Sequence, residues 1–495
     1  MKRRCDLLLP LLLMLAVARL WLMQLPSSFW LDEIATVFVT RLGSNHPTLA
    51  GAAPQAWQSI YYYVARGASM MFGSSEIAYR LPSILAMAVT LLLVARLAAR
   101  LIHPQAGWFA VFACLALKGI NYEAADARPY ALGMAVAAAG LWFLVRWLDS
   151  GGWGDALLFA AFAALLWRVH LLFWPFYVVF ALYAVARLVR GDAGVGWVRA
   201  GVVFALVGAA LVPVLFDALA LHREVQAHVS APLPGVRELV GALKLALVAM
   251  AGGGAWLLSR CLGWNRKLQA TDHGPRATSY ALIVGWWLCQ PLCLFTYSWL
   301  SGNSVFAPRY LCLSLPGAAL AATAVAARFV PAARWKAMSL ILGAGALLWL
   351  GQWRQLWPPH HNSDWRGAAH KVNELAGAGT AVICPSPFVE AKAPVWRPDY
   401  ALPGFLYAHL LVYPIRGKAL LFPFADSPEA NRFAAALCQT TLSRSGRFVV
   451  YGWEPQVHFW REWFAARPEL AGWRERRVGS FRDVDVVVFE KGDRR

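Results

Sequence analysis

The chain has 495 residues, of which 59% are hydrophobic and only 15% charged, against about 25% charged in an ordinary soluble domain. That excludes intrinsic disorder and a conventional cytosolic enzyme. The net charge of +19 invites a nucleic-acid reading, but residues 1–353 carry a net +14 and residues 354–495 a net +5, and the excess sits between apolar runs, where Lys and Arg set membrane topology. The 25 Trp, 26 Phe and 15 Tyr suit lipid walls and interfacial belts.

In chain order, apolar stretches predict helices near 7–25, 77–99, 104–121, 129–148, 156–168, 170–187, 200–220, 238–259, 278–298, 310–328 and 337–353. That is about eleven spans, each needing roughly 17–25 residues. The pair 156–168 and 170–187 is irregular, because its first member is short and its junction holds Arg168 and His170. Basic residues alternate with the spans: Met1-Lys2-Arg3-Arg4, Arg96 and Arg100, Arg187 with Arg190 and Arg199, Arg260 with Arg266, Lys267 and Arg276, and Arg328 with Arg334 and Lys336. These mark one side as cytoplasmic. The opposite loops are acidic, with Asp32, Glu33, Glu76, Glu123 and Asp126. The first span has no small-residue cleavage site before Trp30-Leu31-Asp32-Glu33 and reads as a retained anchor.

An odd number of spans puts residues 354–495 outside the cytoplasm. After a linker at Trp357-Pro358-Pro359-His360-His361, helical patterns at 368–376 and 429–442 and β-branched runs at 380–384, 447–451 and 484–490 predict a small α/β domain. The eight cysteines show no metal-ligand spacing. Cys289 and Cys293 share a helix face; Cys384 and Cys438, both in the outer domain, form a candidate disulfide for an oxidising compartment.

Four polar clusters fall on the outer side, where polar groups at membrane depth are costly unless they work. Trp30-Leu31-Asp32-Glu33 is equally an N-terminal cap, since acids favour a first helical turn. Tyr122 through Tyr130 packs Glu123, Asp126 and Arg128 into one short hairpin, more than an interfacial belt requires. Arg168-Val169-His170 is the third, and a lone His there is more often an interfacial residue than a catalyst. Asn303 to Tyr310 is the fourth, where an arginine such as Arg309 commonly snorkels. Carboxylates can take a proton from a hydroxyl, and arginine forks hold phosphate bidentately. Together these are the groups needed to attack a sugar carried on a lipid phosphate, although a proton-coupled transporter also collects acids and arginines.

In order along the chain these motifs resemble the membrane-embedded glycosyltransferases that use lipid-phosphate sugars, including protein O-mannosyltransferases and the aminoarabinose transferase of lipid A. Asp32-Glu33 is similar to their first-loop acidic pair. Phe72 through Ser83, with Glu76 and Arg80-Leu81-Pro82-Ser83, resembles the entry to their second span. Asp126-Ala127-Arg128-Pro129-Tyr130 resembles their Gln-Glu-Ala-Arg-x-Tyr element, with Asp for Glu. His170 matches a His-Tyr element in its His alone, Pro308-Arg309-Tyr310-Leu311 a late Arg-Tyr motif, and Asp364 through Ala369 the start of the outer domain. Where relatives often carry His-Pro-Pro-Leu-Tyr, this chain has Pro54-Gln55-Ala56-Trp57-Gln58 before Tyr61-Tyr62-Tyr63.

The resemblance implies a polytopic α-helical membrane protein of the GT-C type with a C-terminal extracytoplasmic α/β domain. Residues 1–353 would be the catalytic membrane domain, with 33–73 as interfacial helices, and 354–495 the periplasmic domain. The enzyme would be an inverting hexosyl or pentosyl transferase of the bacterial inner membrane. It would move a sugar from a polyprenyl phosphate to an envelope glycan, glycolipid or protein. Asp32 would be the general base and Glu33 its partner. Arg128 and Arg309 would hold the phosphate, and Asp126, His170, Tyr130 and Tyr310 would contact substrate. Some relatives hold a divalent metal near the acids; no ligand set here compels one. The rival reading is a transporter or flippase of lipid-linked sugars. It requires broken helices and mid-span ionisable residues, for which Lys118, Asp217 and Lys244 are the candidates.

Overall fold

The computed structural model describes residues 2–50, 52, 54–224, 232–264 and 277–492. Met1, Arg266, Lys267 and Arg276 of the charge argument lie outside them. The contacts divide the chain into two compact units: Met1–Leu25 with Gln58–Pro358, and Pro26–Trp57 with Pro359–Arg495.

The first unit is helical, and each predicted apolar stretch coincides with helix. The helices are Lys2–Leu20, Ile60–Phe72, Glu76–Leu101, Gly107–Leu115, Lys118–Ala124, Tyr130–Ser150, Trp153–Val169, Phe176–Val189, Trp197–Glu224, Val236–Ala242, Leu245–Cys261, Ala277–Ser301, Ser314–Ala326 and Trp335–Leu350. Six segments among the described residues are long and apolar enough to cross a membrane, or up to seven if the pair Val236–Ala242 and Leu245–Cys261, bent by 49°, is one span. The expected eleven exceed this because several apolar stretches form shorter helices, such as the 13-residue Ser314–Ala326. The 104–121 stretch is split between Gly107–Leu115 and Lys118–Ala124.

Small residues let these helices meet closely. At Gly317 a Cβ would run into the backbone of Trp286 and Trp287, so helix Ser314–Ala326 lies backbone to backbone against Ala277–Ser301. Arg19, buried near the end of the first helix, donates to the carbonyls of Gly351, Gln352, Gln355 and Leu356 at 2.5–2.7 Å. These carbonyls lie in the cap and turns that follow helix Trp335–Leu350. One guanidinium thus joins the first and last helices of the unit.

Helix Tyr130–Ser150 sets the depth of the unit. Its 21 residues measure about 30 Å at 1.5 Å per residue, the thickness of a bilayer's hydrocarbon core. At its C-terminal end Asp149 pairs with Arg187 at 2.8 Å and with Arg100, while Arg187 also holds Asp192 at 2.6 Å. Three helix ends therefore meet there, and they are ends the Lys/Arg pattern assigns to one side. The candidate site residues of this unit, among them Arg128, Tyr130 and His170, gather at the other end.

The second unit carries a five-stranded mixed sheet: β1 (Ala381–Pro385), β2 (Lys418–Phe422), β3 (Arg447–Trp453), β4 (Trp473–Phe481) and β5 (Val484–Lys491). The order is β2-β1-β3-β5-β4, with β1 parallel to β2 and β3, and β5 antiparallel to β3 and β4. β1 and most of β5 are buried, which is why they read as apolar runs, with Asp485 the one charged residue in the buried part of β5. The candidate disulfide does not form. Cys384 sits in β1 and Cys438 at the end of helix Pro428–Leu437, and both are buried free thiols. Burial pushes Cys438 up to about 12 and Cys384 higher still, because a buried thiolate lacks solvation. Cys289 and Cys293, one helical turn apart in the membrane unit, lie 3.7 Å apart, as their spacing predicts.

Candidate active site

In the membrane unit, Arg128, Tyr130, His170, Arg309 and Tyr310 come together, although up to 182 positions separate them in sequence. Arg128 stands in the turn between helices Lys118–Ala124 and Tyr130–Ser150. Its guanidinium lies over the Tyr130 ring at 5.8 Å and donates to the Tyr62 hydroxyl at 3.3 Å. The Arg128 carbonyl accepts from Ser83 at 3.4 Å. Arg309 lies on the short turn Pro308–Leu311, with its guanidinium 5.2 Å from the Tyr310 ring. That turn is pinned by Gln290, which donates to the Tyr310 carbonyl at 2.6 Å.

His170 fills the break between helices Trp153–Val169 and Phe176–Val189. Its ring is 5.6 Å from Tyr130, 5.3 Å from Tyr310 and 5.1 Å from Phe173. Phe173 reaches this position because Gly133 has no side chain; a Cβ there would run into the Phe173 ring. Burial first, then the charges of Arg128 and Arg309, push the imidazole down to about 3. A histidine so placed is a neutral ring between two cations. Asp126 and Glu123 are buried in the same hairpin as Arg128.

The motif at the start of the second long helix proves to be scaffolding for this cluster. Arg80, fully buried, donates to the Leu25 carbonyl at 2.8 Å. Ser83 reaches Arg128, and Tyr61 lies 3.3 Å from the Ser83 hydroxyl. Tyr61, Tyr62 and Tyr63 all fall in the segment 33–73 expected to form interfacial helices. The structure separates them: Tyr61 and Tyr62 are buried and bound to the scaffold, and Tyr63 is 71% exposed. Helical spacing alone predicts that adjacent residues face different ways, but only packing says which one meets Arg128.

Asp32 and Glu33 belong to the second unit. Helix Leu31–Leu42 begins one residue before them, and Glu33 Oε2 accepts from the Trp30 backbone N–H at 3.3 Å. The capping role foreseen for the acidic pair is therefore filled by Glu33, which is fully buried, while Asp32 stays half-buried in the first turn. His361 stacks on Trp30 at 4.7 Å. Burial and His360 push its imidazole below the usual range, against the opposing pull of Asp483, Glu33 and Asp32. Glu33 and His360 bring a carboxylate oxygen and an imidazole nitrogen within 4.8 Å of each other, donor types that suit a divalent cation. The motif Asp364-Trp365-Arg366-Gly367 is structural. Asp364 caps helix Trp365–Leu375 through the Gly367 N–H at 2.9 Å, and Arg366 donates to the Pro26 carbonyl at 2.8 Å.

Comparison with known proteins agrees with this architecture. Residues 59–216, about a third of the chain, match the family model described as dolichyl-phosphate-mannose-protein mannosyltransferase. The matched stretch contains Tyr62, Arg128, Tyr130 and His170, and excludes Asp32, Glu33, Arg309 and Tyr310. The crystal structure of ArnT from Cupriavidus metallidurans bound to undecaprenyl phosphate superposes with a TM-score of 0.57 at 12% identity, covering 97% of both chains. The apo ArnT structure gives the same score and identity over 98% of both. No curated protein matches by sequence search. The chain has the fold of the membrane-embedded GT-C glycosyltransferases: a polytopic helical unit and a C-terminal sheet domain.

Proposed function

We propose that this protein moves a hexose or pentose from a polyprenyl-phosphate carrier to an acceptor hydroxyl, with inversion, at the extracytoplasmic face of the bacterial inner membrane. The observation that carries this reading is a cluster at one end of helix Tyr130–Ser150: Arg128 lies over the Tyr130 ring and Arg309 over the Tyr310 ring, and both rings pack against His170 at 5.6 and 5.3 Å. Two planar guanidiniums at the edge of a membrane unit fit a lipid phosphate, and one of the ArnT structures with this fold holds undecaprenyl phosphate.

In the proposed reaction Asp32 takes the acceptor proton as the hydroxyl oxygen attacks the anomeric carbon, and Glu33 fixes the helix that presents Asp32. The bond from that carbon to the phosphate oxygen breaks with its electron pair going to the phosphate. The phosphate changes from a singly charged diester to a doubly charged monoester, and Arg128 and Arg309 offset the added charge. Tyr130 and Tyr310 offer flat faces to the sugar, and Asp126 supports the hairpin that carries Arg128. A divalent cation, if the enzyme uses one, would be held by Glu33 and His360 and would make a coordinated hydroxyl more acidic. The acceptor would be an envelope glycan, glycolipid or protein. Mass spectrometry of envelope glycolipids and glycoproteins from cells with and without the gene tests the reading. One missing sugar on one acceptor is the expected result, and unchanged envelopes with sugar trapped on the carrier inside the cell would reject it.

A second reading, a flippase of lipid-linked sugars, draws on the 49° bend between Val236–Ala242 and Leu245–Cys261, which has Lys244 at its break. Broken helices with ionisable residues are what transport requires. Lys244 and Lys118 are both exposed, while Asp217 is half-buried in helix Trp197–Glu224; two of the three candidates turned outward favours transfer.

A further inference from the structure

We propose that His170, through its Nε2–H, is a neutral hydrogen-bond donor to the phosphate of the polyprenyl carrier, acting beside the guanidiniums of Arg128 and Arg309. The inference rests on the transferase reading above and assigns a third phosphate contact within the membrane unit.

The tautomer follows from a backbone contact. The Leu172 N–H donates to His170 Nδ1 at 3.2 Å, so Nδ1 must present its lone pair and, in the neutral ring, the proton resides on Nε2. Protonation of Nδ1 would break this bond and add a third positive charge beside two arginines. Burial and those arginines hold the ring neutral, down to about 3. Among the described residues, Nε2 makes no hydrogen bond, and the residue is half-buried at the end of the unit. A ring with one nitrogen fixed by backbone and the other open, set between two phosphate-type cations, is equipped to donate to an anion.

The arrangement is also held in place. Ser59 Oγ donates to the carbonyl of Val169, the preceding residue, at 2.6 Å. Phe173, Tyr130 and Tyr310 surround the ring. The donor is therefore preorganised toward the charge that grows on the phosphate when the sugar leaves. No proton moves in this step: the N–H···O contact shortens as the phosphate becomes a dianion, while the acceptor's proton goes to the base. A neutral donor adds to phosphate binding without the repulsion that a third cation would suffer beside Arg128 and Arg309.

The test uses the full-length protein in nanodiscs, with binding of undecaprenyl phosphate and sugar transfer measured separately. His170→Phe keeps an aromatic ring against Tyr130 and Tyr310 but has no donor. His170→Gln restores a neutral N–H near the position of Nε2. With thermal stability retained, His170→Phe should lower kcat by roughly 10²-fold, the loss typical of one removed oxyanion donor. It should shift the donor's KM by less than about threefold and weaken binding of undecaprenyl phosphate. His170→Gln should recover at least about tenfold of the lost kcat. Parent-like turnover and binding in His170→Phe overturns the proposal. Equal losses in the Phe and Gln variants also overturn it, because that pattern marks a packing role. A parent protein that binds no undecaprenyl phosphate rejects the transferase reading itself. A parent that binds it no better than His170→Phe rejects only the role of His170.

Discussion

The Arg128 guanidinium donates to the hydroxyl of Tyr62 at 3.3 Å, joining the hairpin before helix Tyr130–Ser150 to the first turn of helix Ile60–Phe72. Tyr62 therefore fixes the direction of the arginine fork. Removing the hydroxyl in Tyr62→Phe should leave the fold intact and weaken donor binding by roughly threefold to tenfold, the effect of one hydrogen bond to a charged group with partial compensation. Tyr63→Phe, at an exposed position on the same turn, should change nothing. Titration of both variants with the sugar-loaded carrier, and separately with undecaprenyl phosphate, decides the matter, and equal behaviour would remove Tyr62 from the proposed phosphate site.

Base and phosphate clamp should fail differently. Asp32→Asn keeps shape but loses the proton acceptor, so turnover should fall by roughly 10²–10⁴ while donor binding survives. Arg128→Ala and Arg309→Ala each remove a charge-assisted fork, so donor binding itself should weaken, and lysine should rescue poorly because it lacks the planar geometry. If Asp32 only sits in a helix start and the arginines only snorkel, all three variants will lose some stability with transfer intact. Separate measurement of binding and transfer on folded variants distinguishes the outcomes.

The Lys/Arg pattern predicts that residues 354–495 lie outside the cytoplasm. A reporter active only in the cytoplasm, fused after Arg495, should be silent, and one active only outside should signal. The reverse result would overturn the orientation read from the Lys/Arg pattern.

His409 gives the sheet unit a pH dependence of known sign. Its ring is fully buried against Trp365 at 4.8 Å and Tyr451 at 5.9 Å, and neither ring nitrogen makes a hydrogen bond among the described residues. Burial pushes it down to about 3, whereas in the unfolded chain it titrates near 6.5. Between these values the unfolded state binds more protons, so stability is complete above about pH 6.5 and declines as pH falls, with a limiting slope of about 1.4 kcal/mol per pH unit. Thermal melts of the full chain at pH 7.5 and pH 5 should show this loss. His409→Phe should flatten it, and an unchanged slope in that variant would assign the effect to another group.

Much of the fold was legible because its signals are local. Apolar run length, β-branched runs and alternating basic loops each report on neighbours in sequence, and they located the helices, the sheet unit and the site-bearing turns. Arg128, His170 and Arg309 were legible as charged or polar residues at membrane edges, where solvation makes them expensive. The span count was less so, because an apolar stretch such as 104–121 reads as one span whether or not its helix breaks at Ala116-Leu117. The loop after the first helix was also opaque. Residues 33–73 read as one interfacial segment, yet Pro26–Trp57 joins the sheet unit and Gln58 onward joins the helices, a division made by long-range packing that leaves no periodic trace. The sequence by itself determined which residue types stand at the ends of the helices. Only tertiary structure decided that Tyr62 rather than Tyr61 or Tyr63 meets Arg128, that Glu33 caps its helix, that Cys384 and Cys438 stay unpaired, and that Leu172 fixes the tautomer of His170. Each of these depends on the direction of one side chain against a partner distant in sequence or on one local backbone turn, and composition and spacing constrain neither.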